Sequence, residues 1–69
     1  MQNTMQNTKA KIRTAATCFI DYGHDLCELY EDDNAQYFLQ HCCAEATPQN
    51  IKQFYVAVKQ LFADYTQQV

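Results

Sequence analysis

The chain has no serine, and its 69 residues include one glycine and one proline. Without serine, one familiar hydroxyl nucleophile is missing, and a lone glycine excludes a glycine-rich phosphate loop. The scarcity of turn formers argues against an all-β or loop-rich fold. No charged leader precedes an apolar run, and no apolar stretch is long enough to cross a bilayer. The expected protein is therefore soluble, unsecreted and cytoplasmic, a setting in which thiols stay reduced. Cations are scarce as well: five Lys and Arg stand against eight Asp and Glu, for a net charge of −3. Lys9, Lys11 and Arg13 form a basic start, whereas Asp21, Asp25, Glu28, Glu31, Asp32 and Asp33 form an acidic centre with no cation among them. That balance argues against direct nucleic-acid binding, and it suits a partner protein with a basic surface.

What is present is helical spacing. Ile51, Phe54, Tyr55, Val58, Leu61, Phe62 and Tyr65 recur in steps of three and four, which places them on one face of an α-helix. Thr47-Pro48 supplies its start, with Thr as N-cap and Pro at the first helical position, where a missing N–H costs nothing. The spacing predicts a helix over 48–67.

From residue 9 onward Ile12, Ala16, Phe19, Gly23, Leu26 and Tyr30 form a second seam, widened by Ala15, Cys18, Tyr22 and Leu29. Two signals conflict at Gly23. The seam runs through it and predicts one long helix over 9–31 with a kink available at the glycine. Against this, glycine often ends helices, and Asp25-x-x-Glu28 reads as a capping box that opens a new one. The penalty for misplaced end charges is about 0.3–1 kcal/mol each, less than burying the seam returns, so continuity is the expectation. The duplicated MQNT at 1–8 is polar and reads as a flexible tail.

Glu31-Asp32-Asp33-Asn34 marks a turn, and Asp33-x-x-Gln36 caps a helix over 34–46. There Ala35, Phe38, Leu39, Cys42 and Ala46 share a face, with Tyr37, His41 and Ala44 on the other side. Connections this short favour helices packed on their sequence neighbours. The expected architecture is all-α, a small three-helix bundle forming a single domain over 9–69.

The candidate chemistry is thin. His24, Cys27, His41 and Cys42 are the best available zinc ligands, but paired ligands normally lie two to four residues apart, and His41 and Cys42 diverge by about 100° on a helix. No metal or other cofactor is expected. Cys18 and Cys27 project about 180° apart on a continuous helix and cannot pair; a bridge from Cys18 to Cys42 or Cys43 would have to cross between helices, and the alternative function from a different class is a thiol or metal sensor using Cys18, Cys27, Cys42, Cys43, His24 and His41. A helix-turn-helix reading would use Gln49, Asn50, Lys52, Gln53, Lys59 and Gln60 on the third helix, but that helix has no Arg and the acidic centre would repel a phosphate backbone. No nucleophile has a base beside it, a small bundle has little room for a ligand pocket, and no enzyme is expected.

Surface is what remains. On a continuous helix Asp21, Asp25, Glu28 and Asp32 form a negative ridge nearly opposite the apolar arc, suited to a basic, nucleic-acid-handling partner. Tyr37 and His41 on the back of the second helix, and Val56 on the back of the third, are the other candidate contacts. The broad apolar arc of the first helix could instead be covered by a second copy. The expected function is a non-enzymatic protein–protein interaction module, an accessory regulator or inhibitor of a partner.

Overall fold

The computed structural model describes residues 4–31 and 33–67. Three α-helices pack on one another: α1 (Thr4–Asp21), α2 (Asn34–His41) and α3 (Pro48–Gln67). A single 3-10 turn, Leu26–Glu28, lies between the first two, and no strand occurs among the described residues. The chain is a small all-α three-helix bundle.

α1 begins at Thr4, inside the segment expected to be a flexible tail. Met and Gln are good helix formers, and neither Gly nor Pro interrupts this stretch, so the helix extends toward the N-terminus. At its other end α1 stops at Asp21 rather than running to residue 31. Gly23 adopts φ +93. Its amide donates to the Ile20 carbonyl at 2.9 Å, and the His24 amide donates to the Phe19 carbonyl at 3.4 Å. These two bonds are the Schellman closure of a helix end, which needs a left-handed residue at the position Gly23 occupies. The apolar contact that accompanies such closures is a ring stack here, His24 on Phe19, with centroids 5.0 Å apart.

The capping box that continuity was expected to override is formed. Asp25 Oδ1 accepts from the Cys27 amide at 3.1 Å, and the Asp25 amide donates to Glu28 Oε1 at 3.2 Å. The 3-10 turn still carries Leu29 into the core, at 1% exposure, so the widened arc keeps one of its later members without a continuous helix. Tyr22, Leu26 and Tyr30 do not stay with it and are exposed.

α2 is shorter than expected, ending at His41 rather than residue 46. Asp33 does not cap it through its side chain; it sits in the left-handed region at φ 57. The turn is held instead by Asn34, whose Nδ2 donates to the Glu28 carbonyl at 2.8 Å. The C-terminal end repeats the closure of α1 with a different residue. Cys43 takes φ 64, its amide donates to the Gln40 carbonyl at 3.0 Å, and the Ala44 amide donates to the Leu39 carbonyl at 2.8 Å. The reversal turns Ala44 inward to 7% exposure, although helical spacing had put it on the outer side. Lys11 Nζ, from α1, donates to the Cys43 carbonyl at 3.2 Å.

α3 starts as expected: the Thr47 hydroxyl accepts from the Asn50 amide at 3.1 Å, with Pro48 as the first helical residue. Of its stripe, Phe54 and Val58 are fully buried, Ile51, Tyr55, Leu61 and Phe62 are half-buried, and Tyr65 is exposed rather than packed. The core centres on Phe19, whose ring meets Phe38 and Phe54 edge-on at 5.5 and 5.8 Å. Such pairs add about 0.5–1.5 kcal/mol each beyond the area they bury. Ile12, Ala15, Ala16 and Leu39 complete the contact between helices, and no polar or charged side chain is buried among the described residues.

Candidate interaction site

The end of α1 and the outer face of α2 bring exposed aromatic side chains together. Tyr37 and His41 lie one turn apart on α2, with rings stacked at 6.1 Å and 15°. Tyr22, in the closure of α1, reaches across with its ring 6.4 Å from His41 and 5.4 Å from Phe38. Phe38 is the buried floor beneath them, 1% exposed, while Tyr22 and Tyr37 are each 57% exposed. The two tyrosines rest on this fixed partner below and present most of their area outward, and His41 is held between them by its ring contacts with both. Helical spacing pointed to Tyr37 and His41 but assigned Tyr22 to the buried arc. The signal that could have found Tyr22 is Gly23: a helix ending there leaves the preceding residue at its rim.

The acidic ridge is not assembled. Its geometry requires one continuous helix, and the chain reverses direction of twist at Gly23, between Asp21 and the other members. Asp21 is exposed at the end of α1. Asp25 and Glu28 are engaged in their own capping box, and Glu28 Oε1 also lies 3.0 Å from His24 Nδ1, an ion pair whenever the imidazole is protonated. The His24 hydrogen bond, and after it the Asp25 amide, hold the Glu28 carboxyl below its ordinary value of 4.5. Asp32 lies outside the described residues.

The fold brings Cys18 beside Cys42 across the α1–α2 contact, with Cys43 next to them. No three metal-ligating side chains are placed to hold an ion among the described residues, and His24, Cys27, His41 and Cys42 do not form a ligand set. All four cysteines are free. Cys18 and Cys42 both pack against the core edge. Burial pushes the Cys42 thiol above its ordinary value of 9.0, and the neighbouring Cys18 and Cys43 add to the shift. A thiol so placed holds less thiolate at neutral pH and is a poorer nucleophile or ligand.

Val56 belongs to a different surface. It is 64% exposed and lines an open groove of about 320 Å³ between α1 and α3, together with Lys9, Ile12, Arg13, Leu61 and Asp64. The expectation of little room for a ligand thus needs correcting in one respect: grooves of ligand-sized volume exist, but they lie open on the surface. A second, at about 390 Å³, sits between the start of α1 and the corner before α3, with Thr8, Ile12, Glu45 and Asn50 in its lining. Tyr30 forms a further exposed contact, its ring 4.6 Å from Tyr55 and beneath the Lys59 ammonium at 5.4 Å. No helix among the described residues is long and apolar enough to cross a membrane. In comparison with known proteins, no family model matches this chain, and neither does any curated protein or solved structure.

Proposed function

We propose that the chain is a non-enzymatic protein-interaction module, an accessory regulator or inhibitor that works by occupying a surface on a partner. The observation that carries this reading is the exposed trio Tyr22, Tyr37 and His41, whose two tyrosines rest on the buried Phe38. Tyrosine suits such a role because it offers large apolar area, a polar tip and few torsions to freeze on binding. Rings already stacked in the free protein lose less freedom when a partner covers them. A basic partner fits this surface less well than an apolar or mixed one, since Asp25 and Glu28 already hold the local turn.

The test is affinity capture from the native host, quantified by mass spectrometry, for the unaltered protein and for Tyr22→Ala/Tyr37→Ala. Central aromatic contacts typically contribute about 2 kcal/mol or more, so the double variant should hold its partner roughly thirtyfold more weakly. Circular dichroism should show both proteins folded, because each altered side chain is mostly exposed. Equal capture of the same partner by both would remove the aromatic surface from consideration.

A further inference from the structure

We infer that the groove between α1 and α3 is a second docking site, and that it takes an amphipathic helix of a partner protein whose flank toward α1 is acidic. The inference stands on a surface separate from the aromatic trio and does not depend on it. The floor is apolar and its members differ in burial. Ile12 is 4% exposed and fixes the bottom, Ala57 and Leu61 are half-buried above it, and Val56, 64% exposed, stands at the α3 edge. A β-branched side chain left this open gains nothing from the fold it belongs to, whereas an apolar stripe laid along the groove would cover it.

The rim supplies the charge. Lys9 and Arg13 lie one helical turn apart on the α1 side, and neither forms an ion pair among the described residues. They are two of only five cations in a chain of net charge −3, so the groove has the opposite sign to the molecule as a whole. Asp64 closes the far end on α3, eleven residues beyond Gln53, which is about 16 Å or three turns along the helix. A fitting partner helix thus carries acids opposite Lys9 and Arg13 and none opposite Asp64. A nucleic-acid backbone fits poorly, because an apolar floor offers nothing to phosphates and Asp64 repels them. A second copy of the chain fits less well than an acidic partner. In a symmetric pairing each copy would bring two cations and one carboxylate to the contact, and Asp64 already accepts from Gln60 Nε2 at 3.2 Å.

The experiment titrates the full chain against two labelled synthetic helices of about eighteen residues, long enough for about five turns, read by fluorescence anisotropy. Both carry a leucine stripe at helical spacing; one has glutamate flanks, the other lysine. The glutamate helix should bind at least about tenfold tighter than the lysine helix, and the preference should shrink with added salt. Val56→Asp should abolish binding, and Arg13→Glu should reverse the preference; circular dichroism of both variants confirms that these exposed changes leave the fold intact. Tyr37→Ala should bind the glutamate helix like the unaltered protein, which separates this site from the aromatic surface. Equal affinity for the two helices, binding indifferent to Val56→Asp, or loss of binding in Tyr37→Ala would each overturn the inference. So would sedimentation showing a dimer that Val56→Asp dissociates, because the occupant would then be a second copy.

Discussion

α1 and α2 end in the same pair of backbone hydrogen bonds, yet one closure is built on glycine and the other on cysteine. At Gly23 the left-handed backbone is nearly free of steric cost, and a Cβ added there would meet nothing within 4 Å. At Cys43 the same geometry is imposed on a residue with a Cβ, at a cost of about 1–2 kcal/mol. That cost has to be offset by tertiary structure. Two contacts supply it: the Lys11 ammonium on the Cys43 carbonyl, and Ala44, drawn into the core by the reversal. The lesson is that the first closure is specified locally and the second by what packs around it.

The largest test of this difference removes the apolar support beneath the first closure. Phe19 is the ring against which His24, Phe38 and Phe54 all pack, so Phe19→Ala should cost about 3–5 kcal/mol by urea denaturation. That approaches the whole stability expected of so small a domain, and a Phe19→Leu companion should retain a measurable transition. Next come the two left-handed positions, which should respond with opposite signs. Gly23→Ala should destabilise by about 1 kcal/mol through backbone strain alone, since the space is open. Cys43→Gly should stabilise by up to about 1 kcal/mol, the relief of strain exceeding the added freedom of the unfolded chain. Equal signs for these two variants would erase the distinction between the closures.

The smallest effect concerns pH. Glu28 has a depressed carboxyl pKa in the folded state, so its contribution is fully present above the ordinary value of 4.5 and is lost as pH falls through the lower folded value. Thermal melts of the native chain between pH 6 and pH 3 should therefore decline more steeply than those of Glu28→Gln, whose curve lacks this component. Glu28 is too exposed for the gap to be large.

The same contrast explains what could be read from sequence. Thr47-Pro48 and the core pair Phe54 and Val58 were legible because their signals are local and unopposed. At Gly23 both outcomes were visible, and the wrong one was favoured. Spacing through Leu26 and Tyr30 suggested a continuous seam, but a 3-10 turn can bury Leu29 without one. The end of α2 was not legible. Cysteine carries no preference for a left-handed closure, and nothing near Cys43 in sequence announces that Lys11, 32 residues away, will hold its carbonyl. Tyr22 was misplaced for the same reason as the ridge of Asp21, Asp25 and Glu28: both depended on how the chain passes Gly23. The groove beside Val56 was half legible, its exposed valine read correctly and its basic rim on α1 missed, since that rim exists only once α1 and α3 lie side by side.

Every side chain sealed inside the described part of the bundle is a hydrocarbon. An interior of that kind has no hydrogen bond to misalign and so imposes little penalty on exchanging one greasy residue for another of similar bulk. Alignment of the three rods is left to the corners, where a glycine, an aspartate–glutamate pair and a threonine–proline pair decide where each rod begins or stops. Lineages diverging from this chain would be expected to drift freely within the middle and to resist change at the bends.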